Sequence, residues 1–431
     1  MKNKVLLFWL IVATALVFRL YLSDKGWHVD LWSNAAWGEW IYTNGPVNFY
    51  KNSVWIYSWP TQPPLINTIY ALDKKAYIEL LGRLAGLNFQ LGKIQVYWLS
   101  DFVHWFGYGK INLEIPFQTG YLVTIKLLPI LADLVIAGIL YFWSKKKIWW
   151  PIIYLASPFS WYLSAGWGQY DGVGFCLALL GFLSVFSPFG IIGPALLTLA
   201  VLIKPTSLIL LPFFLYVFLR KKGNVLGLLI PIIIFMVTTQ PYTRDNVFKF
   251  ARHDLTRIIF QKTEPRLTVN SFNFWRIWIG NGTYPDKYPA LSLFIFGIFN
   301  LAGIINFEIK QKNIQALWES LFTVSMGAFL FMTGMLERYA FAGIVTGLFM
   351  VTNRPKLIKY WLGMSLIFWM NLYYHWWWPE WMIPVRYILT WNSDVVTRLL
   401  SVIQIILFAK LLPGNFRILP FPLIQKQKKP V

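Results

Sequence analysis

Long apolar runs separated by short charged loops make up most of the chain. A helix that crosses a bilayer needs about 20 predominantly apolar residues, and the runs here are about 13–23 residues long. About 12 crossings result if a shorter run is accepted wherever the loops on either side of it demand one. The pattern therefore predicts an all-α protein, built as a polytopic bundle of membrane-spanning helices with outer loops and interfacial helices.

The loops between the runs are of two kinds. Short loops such as Ser144–Lys147 and Arg220–Lys222 are rich in Lys and Arg, and loops of this kind lie on the cytoplasmic side of a membrane. Alternation then places both termini in the cytoplasm and segments 23–120 and 241–288 on the outer side. Because no internal repeat or low-complexity linker is present, we expect residues 1–431 to form one transmembrane domain, capped by the two outer segments.

The composition supports a membrane protein. Of the 431 residues, 57% are hydrophobic and 13% are charged, whereas soluble domains carry about 25% charged residues. The net charge of +21 could indicate nucleic-acid binding, but Lys and Arg lie mainly at the ends of apolar runs. The lipid bilayer is therefore the expected partner, and no nucleic acid is expected. We expect the plasma membrane of a prokaryote rather than the endoplasmic reticulum.

Cofactor chemistry has little support in the sequence. The single cysteine, Cys176, rules out a disulfide within the chain and a cysteine-based metal site. The four histidines are far apart and lack the spacing of metal ligands, and there is no glycine-rich phosphate loop. We therefore expect no cofactor, although a divalent metal ion is compatible with the sequence.

The residues that could carry out chemistry all fall on the outer side of the membrane, which predicts one composite site facing away from the cytosol. Asp30 follows the first apolar run, and a lone carboxylate there can act as a general base for an attacking hydroxyl. Its alternative role is structural, as a helix N-cap or as a solvated acid at the interface.

A turn between two apolar runs, Trp167-Gly168-Gln169-Tyr170-Asp171, combines polar and aromatic side chains. Gln169 and Asp171 could bind sugar hydroxyls, and Trp167 and Tyr170 could stack on a sugar face. In the structural alternative, Gly168 makes a tight turn, the two aromatic residues anchor the chain at the interface, and Asp171 caps the next helix. The density of such side chains favours a substrate-binding role.

Several cations lie on the outer side, where the positive-inside bias makes them unexpected. A phosphate is their natural ligand, because arginine offers a bidentate fork and lysine a point charge. The alternatives are pairing with neighbouring acids or contact with anionic lipid. Glu337 is a candidate substrate ligand, or else an internal partner of the arginine that follows it. In falling order of preference, the candidate phosphate ligands are Arg252, Arg257, Arg244, Lys204 and Arg338, with His253 beside them.

Four short motifs, in this order, resemble the GT-C superfamily of membrane glycosyltransferases. Gln62-Pro63-Pro64-Leu65 is similar to its Tyr-Pro-Pro-Leu stretch, Asn273-Phe274-Trp275 to its Asn-Phe-Trp, and Leu336-Glu337-Arg338-Tyr339 to its His-Glu-Arg-Tyr. The Trp167–Asp171 turn lies where the dolichyl-phosphate-glucose-dependent glucosyltransferases of N-glycan assembly carry His-Phe-Gln-Tyr-Asn. Its Trp-Gly-Gln-x-Asp form is more similar to bacterial mannosyltransferases related to those of GPI-anchor synthesis.

The resemblance implies a fold of GT-C type and an inverting hexosyltransferase. Such an enzyme moves mannose or glucose from a polyprenyl-phosphate donor to a lipid-linked glycan or glycolipid acceptor on the extracytoplasmic side. An acidic residue in the first outer loop, here Asp30, would be the base. Asp171 in place of Asn, and Leu336 in place of His, depart from the family pattern and leave the sugar and the acceptor open.

The alternative from another class is a transporter or flippase of a lipid-linked sugar. Such a protein would also need aromatic and cationic groups that bind its ligand. Transporters place their sites near the membrane midplane and show repeat symmetry. Here the polar groups gather at one interface and no repeat is present, so the sequence favours a transferase.

Overall fold

Helices form almost all of the regular structure, so the fold is all-α, as the sequence predicts. The computed structural model describes residues 2–81, 89–91, 94–96, 119–221, 223–256, 266–282, 284–392, 394–412 and 414. Short 3₁₀- and π-helical turns join or extend many of the helices. In chain order the α-helices are α1 Lys2–Ser23, α2 Val29–Asn44, α3 Pro64–Lys75, α4 Thr119–Trp143, α5 Trp149–Ala156, α6 Pro158–Trp161, α7 Asp171–Val185, α8 Gly193–Ile203, α9 Leu211–Arg220, α10 Ile230–Thr239, α11 Val247–Phe250, α12 Phe274–Ile279, α13 Pro289–Ile309, α14 Ile314–Phe331, α15 Phe341–Val351, α16 Ile358–His375, α17 Ile383–Thr390 and α18 Val395–Leu411.

Five helices of the described chain are long and apolar enough to cross a membrane, judged by length and composition. A sixth crossing results if Pro158–Trp167 and Asp171–Val185, which are bent by 118°, count as one broken span. The described helices are thus compatible with an integral membrane protein, and the count of about 12 spans stays a prediction. The five long helices are Asn3–Ser23, Thr119–Trp143, Val225–Tyr242, Pro289–Ile309 and Ile314–Phe331.

The long helices differ in how deeply they are buried. In α1 only 11% of the apolar window is buried inside the protein, and Leu6 and Trp9 are 63% and 60% exposed. In α14 the buried share is 83%, and Trp318 stacks on Phe349 of α15 with ring centroids 4.5 Å apart. Contiguous apolar surface as large as that of α1 is rare on proteins in water, so α1 fits the lipid-facing edge of a bundle that has α14 near its centre.

The helices α2, α3 and α4 meet in a tight junction. The Tyr121 hydroxyl of α4 lies 3.1 Å from the carbonyl oxygens of both Ala35 in α2 and Tyr70 in α3. Gly38 of α2 sits in the same junction, where a Cβ would lie 2.5 Å from the Tyr70 carbonyl oxygen, so a larger residue does not fit. The junction fixes the position of α2, the helix that carries Asp30.

Two short pairs of strands interrupt the helices. β1 (Phe89–Leu91) pairs antiparallel with β2 (Ile94–Val96), and β3 (Thr268–Val269) pairs parallel with β4 (Met335–Leu336). The second pair attaches the second outer segment to the chain directly before Glu337. Residues far apart in sequence thereby reach the same end of the bundle.

Candidate active site

Asp30 lies in the first turn of α2 and lines a pocket. The helix is capped by His28, whose Nδ1 accepts a hydrogen bond of 3.0 Å from the backbone N–H of Asp30. The Asp30 carboxylate is therefore not an N-cap, and its side chain is 36% exposed. The turn before α2 is held by Lys126, whose ammonium donates to the carbonyl oxygens of Ser23 and Gly26 at 2.8 and 2.6 Å.

The pocket has a volume of about 130 Å³ and brings together five of the residues predicted from the sequence. Asp30, Gln169, Lys204 and Arg338 all line it, although they come from separate parts of the chain. Tyr170 lines it as well. The sequence therefore selects residues that the fold places in one small polar space.

The Gln169 amide lies between the carboxylate and an ammonium group. Its Nε2 donates to Asp30 Oδ2 at 2.9 Å, and its Oε1 lies 3.5 Å from Lys204 Nζ. Lys204 in turn pairs with Asp171, with Nζ 2.7 Å from Oδ2. Asp171 is the first residue of α7 and forms no side-chain cap, so it serves as the partner of Lys204 instead.

Arg338 is surrounded by three carboxylates. Its Nη1 lies 2.8 Å from Glu337 Oε1 and 3.8 Å from Asp30 Oδ2, and its Nε lies 3.9 Å from Asp171 Oδ2. The guanidinium carbon also sits 5.4 Å from the ring centroid of Trp167, a cation–π geometry. Its Nε is buried and has no hydrogen-bond partner within the described chain, so the guanidinium keeps a donor that could serve an anionic ligand.

Local sequence explains why two of these side chains reach the pocket. Gly168 has φ +77°, a conformation that L side chains rarely adopt, and it allows the sharp turn that presents Gln169. Lys204 precedes Pro205, and a residue before proline is pushed into extended backbone. It has φ −139° and ψ 101°, so α8 ends at Ile203 and the lysine projects from an elbow between two helices.

The pKa values of the pocket follow from burial and from neighbouring charge. Burial alone would raise the pKa of the Asp30 carboxyl, but Arg338, helped by His28, His375 and Lys204, holds it below its usual value. Burial lowers the pKa of His28 to about 4, so this imidazole is neutral at pH 7. Burial also lowers the pKa of Lys204, and Asp171 opposes that shift. The carboxylate is thus ionised and ready to accept a proton.

Sequence reasoning missed two histidines that support the site. His375, at the end of α16, stacks on Trp167 with ring centroids 5.2 Å apart, and His28 packs on the same ring at 4.6 Å. Trp167 is fully buried between these rings and Arg338, so it does not lie in an interfacial belt. The spacing of the histidines along the chain carries no signal of this cluster, because it forms through tertiary contacts alone.

The other predicted phosphate ligands lie elsewhere. Arg244, Arg252 and His253 have exposed side chains, and none of them lines the pocket of Asp30. Arg257 lies outside the described residues. Their role as phosphate ligands stays a prediction, whereas the cations that line the pocket are Lys204 and Arg338, the last two in the sequence-based order of preference.

An apolar groove runs close to the Lys204 elbow. It has a volume of about 350 Å³ and lies between α8, α9 and α10. Val201 and Leu202 on one side of the elbow, and Leu208 on the other, contribute to its walls. A long hydrocarbon chain could therefore lie against α8 while a polar group attached to it reaches Lys204.

Metal ligands do not gather in the described part of the chain. No three His, Cys, Asp or Glu side chains within the described ranges lie together in a way that could hold a metal ion. Cys176 is buried and unpaired with another cysteine. The polar groups that line the pocket are a carboxylate, amides, hydroxyls, an ammonium and a guanidinium group.

Behind the pocket, Asp73 is expected to make stability depend on pH. Burial raises its pKa to about 7, although the Tyr170 hydroxyl donates to it at 3.1 Å. In the unfolded chain this carboxyl ionises near pH 4, so between about pH 4 and 7 the folded state holds a proton that the unfolded state has lost. Stability therefore falls as pH rises through this window and is level above it.

Asp73→Asn keeps an oxygen for Tyr170 but cannot ionise. We expect the variant to melt at a higher temperature than the wild type at pH 8, and to lose the decline between about pH 4 and 7. Melting followed by circular dichroism in one detergent measures both effects. Asp24→Asn, a partly exposed acid paired with Lys25, is the control. A decline in Asp73→Asn as steep as in the wild type would contradict the assignment.

Comparison with known proteins adds no relative: no protein-family model matches the chain, and no curated protein sequence matches it.

Proposed function

We propose that the protein is an inverting glycosyltransferase that moves a hexose, mannose or glucose, from a polyprenyl-phosphate donor to a glycolipid or lipid-linked glycan. The observation that carries the proposal is the pocket in which the Asp30 carboxylate lies beside Lys204 and Arg338. The apolar groove near Lys204 supports it further. The carboxylate would take the proton of the acceptor hydroxyl, the two cations would bind the donor phosphate, and the groove would hold the prenyl chain.

In the proposed reaction, the acceptor hydroxyl gives its proton to Asp30 and its oxygen forms a bond to the anomeric carbon of the donor. The bond from that carbon to the phosphate oxygen breaks, and its electron pair stays on the phosphate. Polyprenyl phosphate leaves from the face opposite the acceptor, so the anomeric configuration inverts. Arg338 and Lys204 would stabilise the charge that develops on the phosphate.

The proposal includes an orientation in the membrane. With about 12 spans and both termini in the cytoplasm, the end of the bundle that holds Asp30 faces the extracytoplasmic side. Gln169 and Tyr170, which line the pocket, would then contact the sugars. The buried Trp167, Asp171 and Glu337 would position Lys204 and Arg338. Burial of the prenyl chain in or beside the bilayer contributes about 0.8 kcal/mol per CH₂, which would retain the donor at the site.

The test is transfer by the purified protein in phosphatidylcholine nanodiscs, with synthetic polyprenyl-phosphate mannose and polyprenyl-phosphate glucose offered separately. We expect a new glycolipid from one of them in the presence of a membrane extract of acceptors, detected by mass spectrometry, with an inverted anomeric centre by NMR. Movement of either donor across a liposome bilayer without a new glycosidic bond would contradict the proposal and favour a flippase.

Filling the apolar groove is expected to weaken use of long-chain donors. Ile232 lines the groove, whereas its neighbour Ile233 does not, and both are on α10 with exposed side chains. Ile232→Trp should raise the KM for a long-chain donor about tenfold, the effect of losing the burial of about two CH₂ groups. A donor with a short, water-soluble chain should be unaffected.

Ile233→Trp is the matched control, and it should behave as the wild type with both donors. An equal loss in the two variants would show that bulk on α10 matters rather than the groove. No loss in Ile232→Trp would place the prenyl chain elsewhere.

A further inference from the structure

The pocket is lined by four neutral polar side chains, here called the wall, that form no hydrogen bonds within the described chain. The Asn34 and Gln62 amides and the Thr61 and Tyr70 hydroxyls line the pocket with Asp30. Asn34 and Tyr70 are only 8% and 3% exposed. None of their polar atoms is among the solvent-inaccessible, unpaired atoms of the described chain. They therefore face the cavity, where they can bind a ligand that brings its own donors and acceptors.

Hydrogen bonds from neighbouring polar groups hold the wall in position. The Ser58 hydroxyl donates to Ser33 Oγ of α2 at 2.9 Å, and Trp37 Nε1 donates to the Ser58 carbonyl oxygen at 3.0 Å. The Tyr50 hydroxyl donates to the Gln62 carbonyl oxygen at 2.6 Å. The loop from 58 to 62 is thereby fastened to α2 by its backbone and by Ser58, and the Thr61 and Gln62 side chains remain available.

The charged groups of the pocket gather around Asp30 and Gln169. Lys204 and Arg338 line the pocket, and the Gln169 amide separates the Lys204 ammonium from the Asp30 carboxylate. Asn34 follows Asp30 by four residues in α2, so the two side chains share one helix face. Among the described residues, the remaining polar lining consists of amides and hydroxyls, which suit sugar hydroxyls and give no counter-ion to a phosphate or carboxylate.

We propose that Asn34, Thr61, Gln62 and Tyr70 bind the terminal sugar of the acceptor, and that this sugar is neutral and carries free hydroxyls. The inference rests on the proposed transfer function. In an inverting displacement the nucleophile and the leaving group lie on opposite faces of the anomeric carbon. If the cations hold the phosphate, the acceptor hydroxyl must attack from the opposite face of the sugar, next to Asp30. Asn34 lies one helical turn from Asp30, so the acceptor sugar would contact these neutral side chains.

Binding of small glycosides tests the wall without any donor. The probes are methyl α-mannopyranoside, methyl α-glucopyranoside and methyl α-glucopyranosiduronate, added to the protein in phosphatidylcholine nanodiscs. We expect saturation-transfer NMR to show binding of at least one neutral glycoside, at least tenfold tighter than that of the anionic one. Asn34→Leu and Thr61→Val, which replace a polar group by an apolar one of similar size, should each weaken that binding about tenfold.

Matched controls come from the exposed end of the same helix. Asn44 and Thr43 hydrogen-bond only to carbonyl oxygens one turn earlier in α2, so Asn44→Leu and Thr43→Val should bind as the wild type does. Gel filtration and melting temperature establish that each variant is folded. Preferred binding of the uronoside, absence of binding by both neutral glycosides, or unchanged binding in both wall variants would overturn the proposal.

Kinetics separate this proposal from the proposed function. In the transfer assay, the wall variants should raise the KM for the acceptor about tenfold and leave the KM for the donor unchanged. Glycoside binding that depends on Asn34, without transfer from any polyprenyl-phosphate sugar, would support the wall and contradict the transferase. Transfer with an unchanged acceptor KM in both variants would support the transferase and contradict the wall.

Discussion

Asp30→Asn is expected to lower kcat for hexosyl transfer by about 10²–10⁴-fold, the contribution of a well-placed general base. The amide keeps an oxygen for Gln169 Nε2, which donates to Asp30 at 2.9 Å in the wild type. The variant should therefore fold and still bind the donor, because only the proton acceptor is lost. Steady-state kinetics with the active polyprenyl-phosphate sugar measure kcat, and retention on a prenyl-phosphate matrix measures donor binding.

The pH profile of the wild type provides a second readout of the same group. Arg338 contributes most to holding the pKa of Asp30 down against burial. A donor phosphate at Arg338 would cancel part of that positive charge and raise the Asp30 pKa in the complex. Activity needs the ionised form and is lost as pH falls, so the acid limb of kcat should lie at higher pH than that of kcat/KM.

Two control variants make the Asp30 result specific. Asp24→Asn removes an acid of the same outer segment that pairs with Lys25 at 3.0 Å, and it should retain full activity. Asp171→Asn tests the second candidate carboxylate, whose side chain is only 5% exposed and lies 2.7 Å from Lys204. Full activity in Asp30→Asn together with loss in Asp171→Asn would move the base to Asp171.

The sequence identifies several pocket residues because their chemistry conflicts with their setting. Asp30, Lys204 and the Glu337–Arg338 pair are charged groups at the ends of apolar runs, and positive charge on the outer side opposes the usual bias. Charged groups in such places are costly unless they are paired or functional. The structure places Asp30, Lys204 and Arg338 in one pocket, with Glu337 paired to Arg338 beside it; their functional role stays a prediction.

The same reasoning cannot distinguish cations on one side of the membrane from cations in one pocket. Arg244 and Arg252 belong to the second predicted outer segment, yet their side chains are exposed and do not line the pocket of Asp30. Charge bias and alternation of spans fix only the side of the membrane, not the position within its plane. That position is set by packing, such as the β3–β4 pairing before Glu337.

The helix α2 could not be predicted from the pattern of apolar residues either. Its buried residues include Leu31, Ala35 and Ile41, but also Ser33 and Asn34, so no clear apolar stripe of helical period marks it. The reason is that one face of α2 packs on α3 and α4 while another lines a polar pocket. Positions of α2 that line the pocket need polar residues, whereas an amphipathic helix would have apolar residues at its buried positions. Asn34, which we assign to acceptor binding, is one of these buried polar positions.

Arg338→Gln is expected to have the largest combined effect on donor use and stability. The guanidinium lies 2.8 Å from Glu337, 3.8 Å from Asp30 and 3.9 Å from Asp171, and its side chain is 14% exposed. Removing one partner of a buried ion pair costs about 3–5 kcal/mol, because the remaining charge is left uncompensated. The variant also loses a positioned hydrogen-bond donor that would stabilise the developing phosphate charge, which should lower kcat by about 10²–10³-fold.

Arg338→Lys separates the two contributions. Lysine restores a positive charge among the carboxylates, so most of the melting temperature should return. Lysine lacks the planar guanidinium that can bind a phosphate with two hydrogen bonds, so transfer should recover only in part. The remaining loss should be in kcat/KM for the sugar donor. Lys75→Gln, which removes the exposed partner of Glu79 at 4.0 Å, should cost less than about 1 kcal/mol and leave transfer unchanged. Donor kinetics equal to wild type in a folded Arg338→Gln protein would place the donor phosphate outside this pocket, and the exposed arginines of the second outer segment would become the next residues to test.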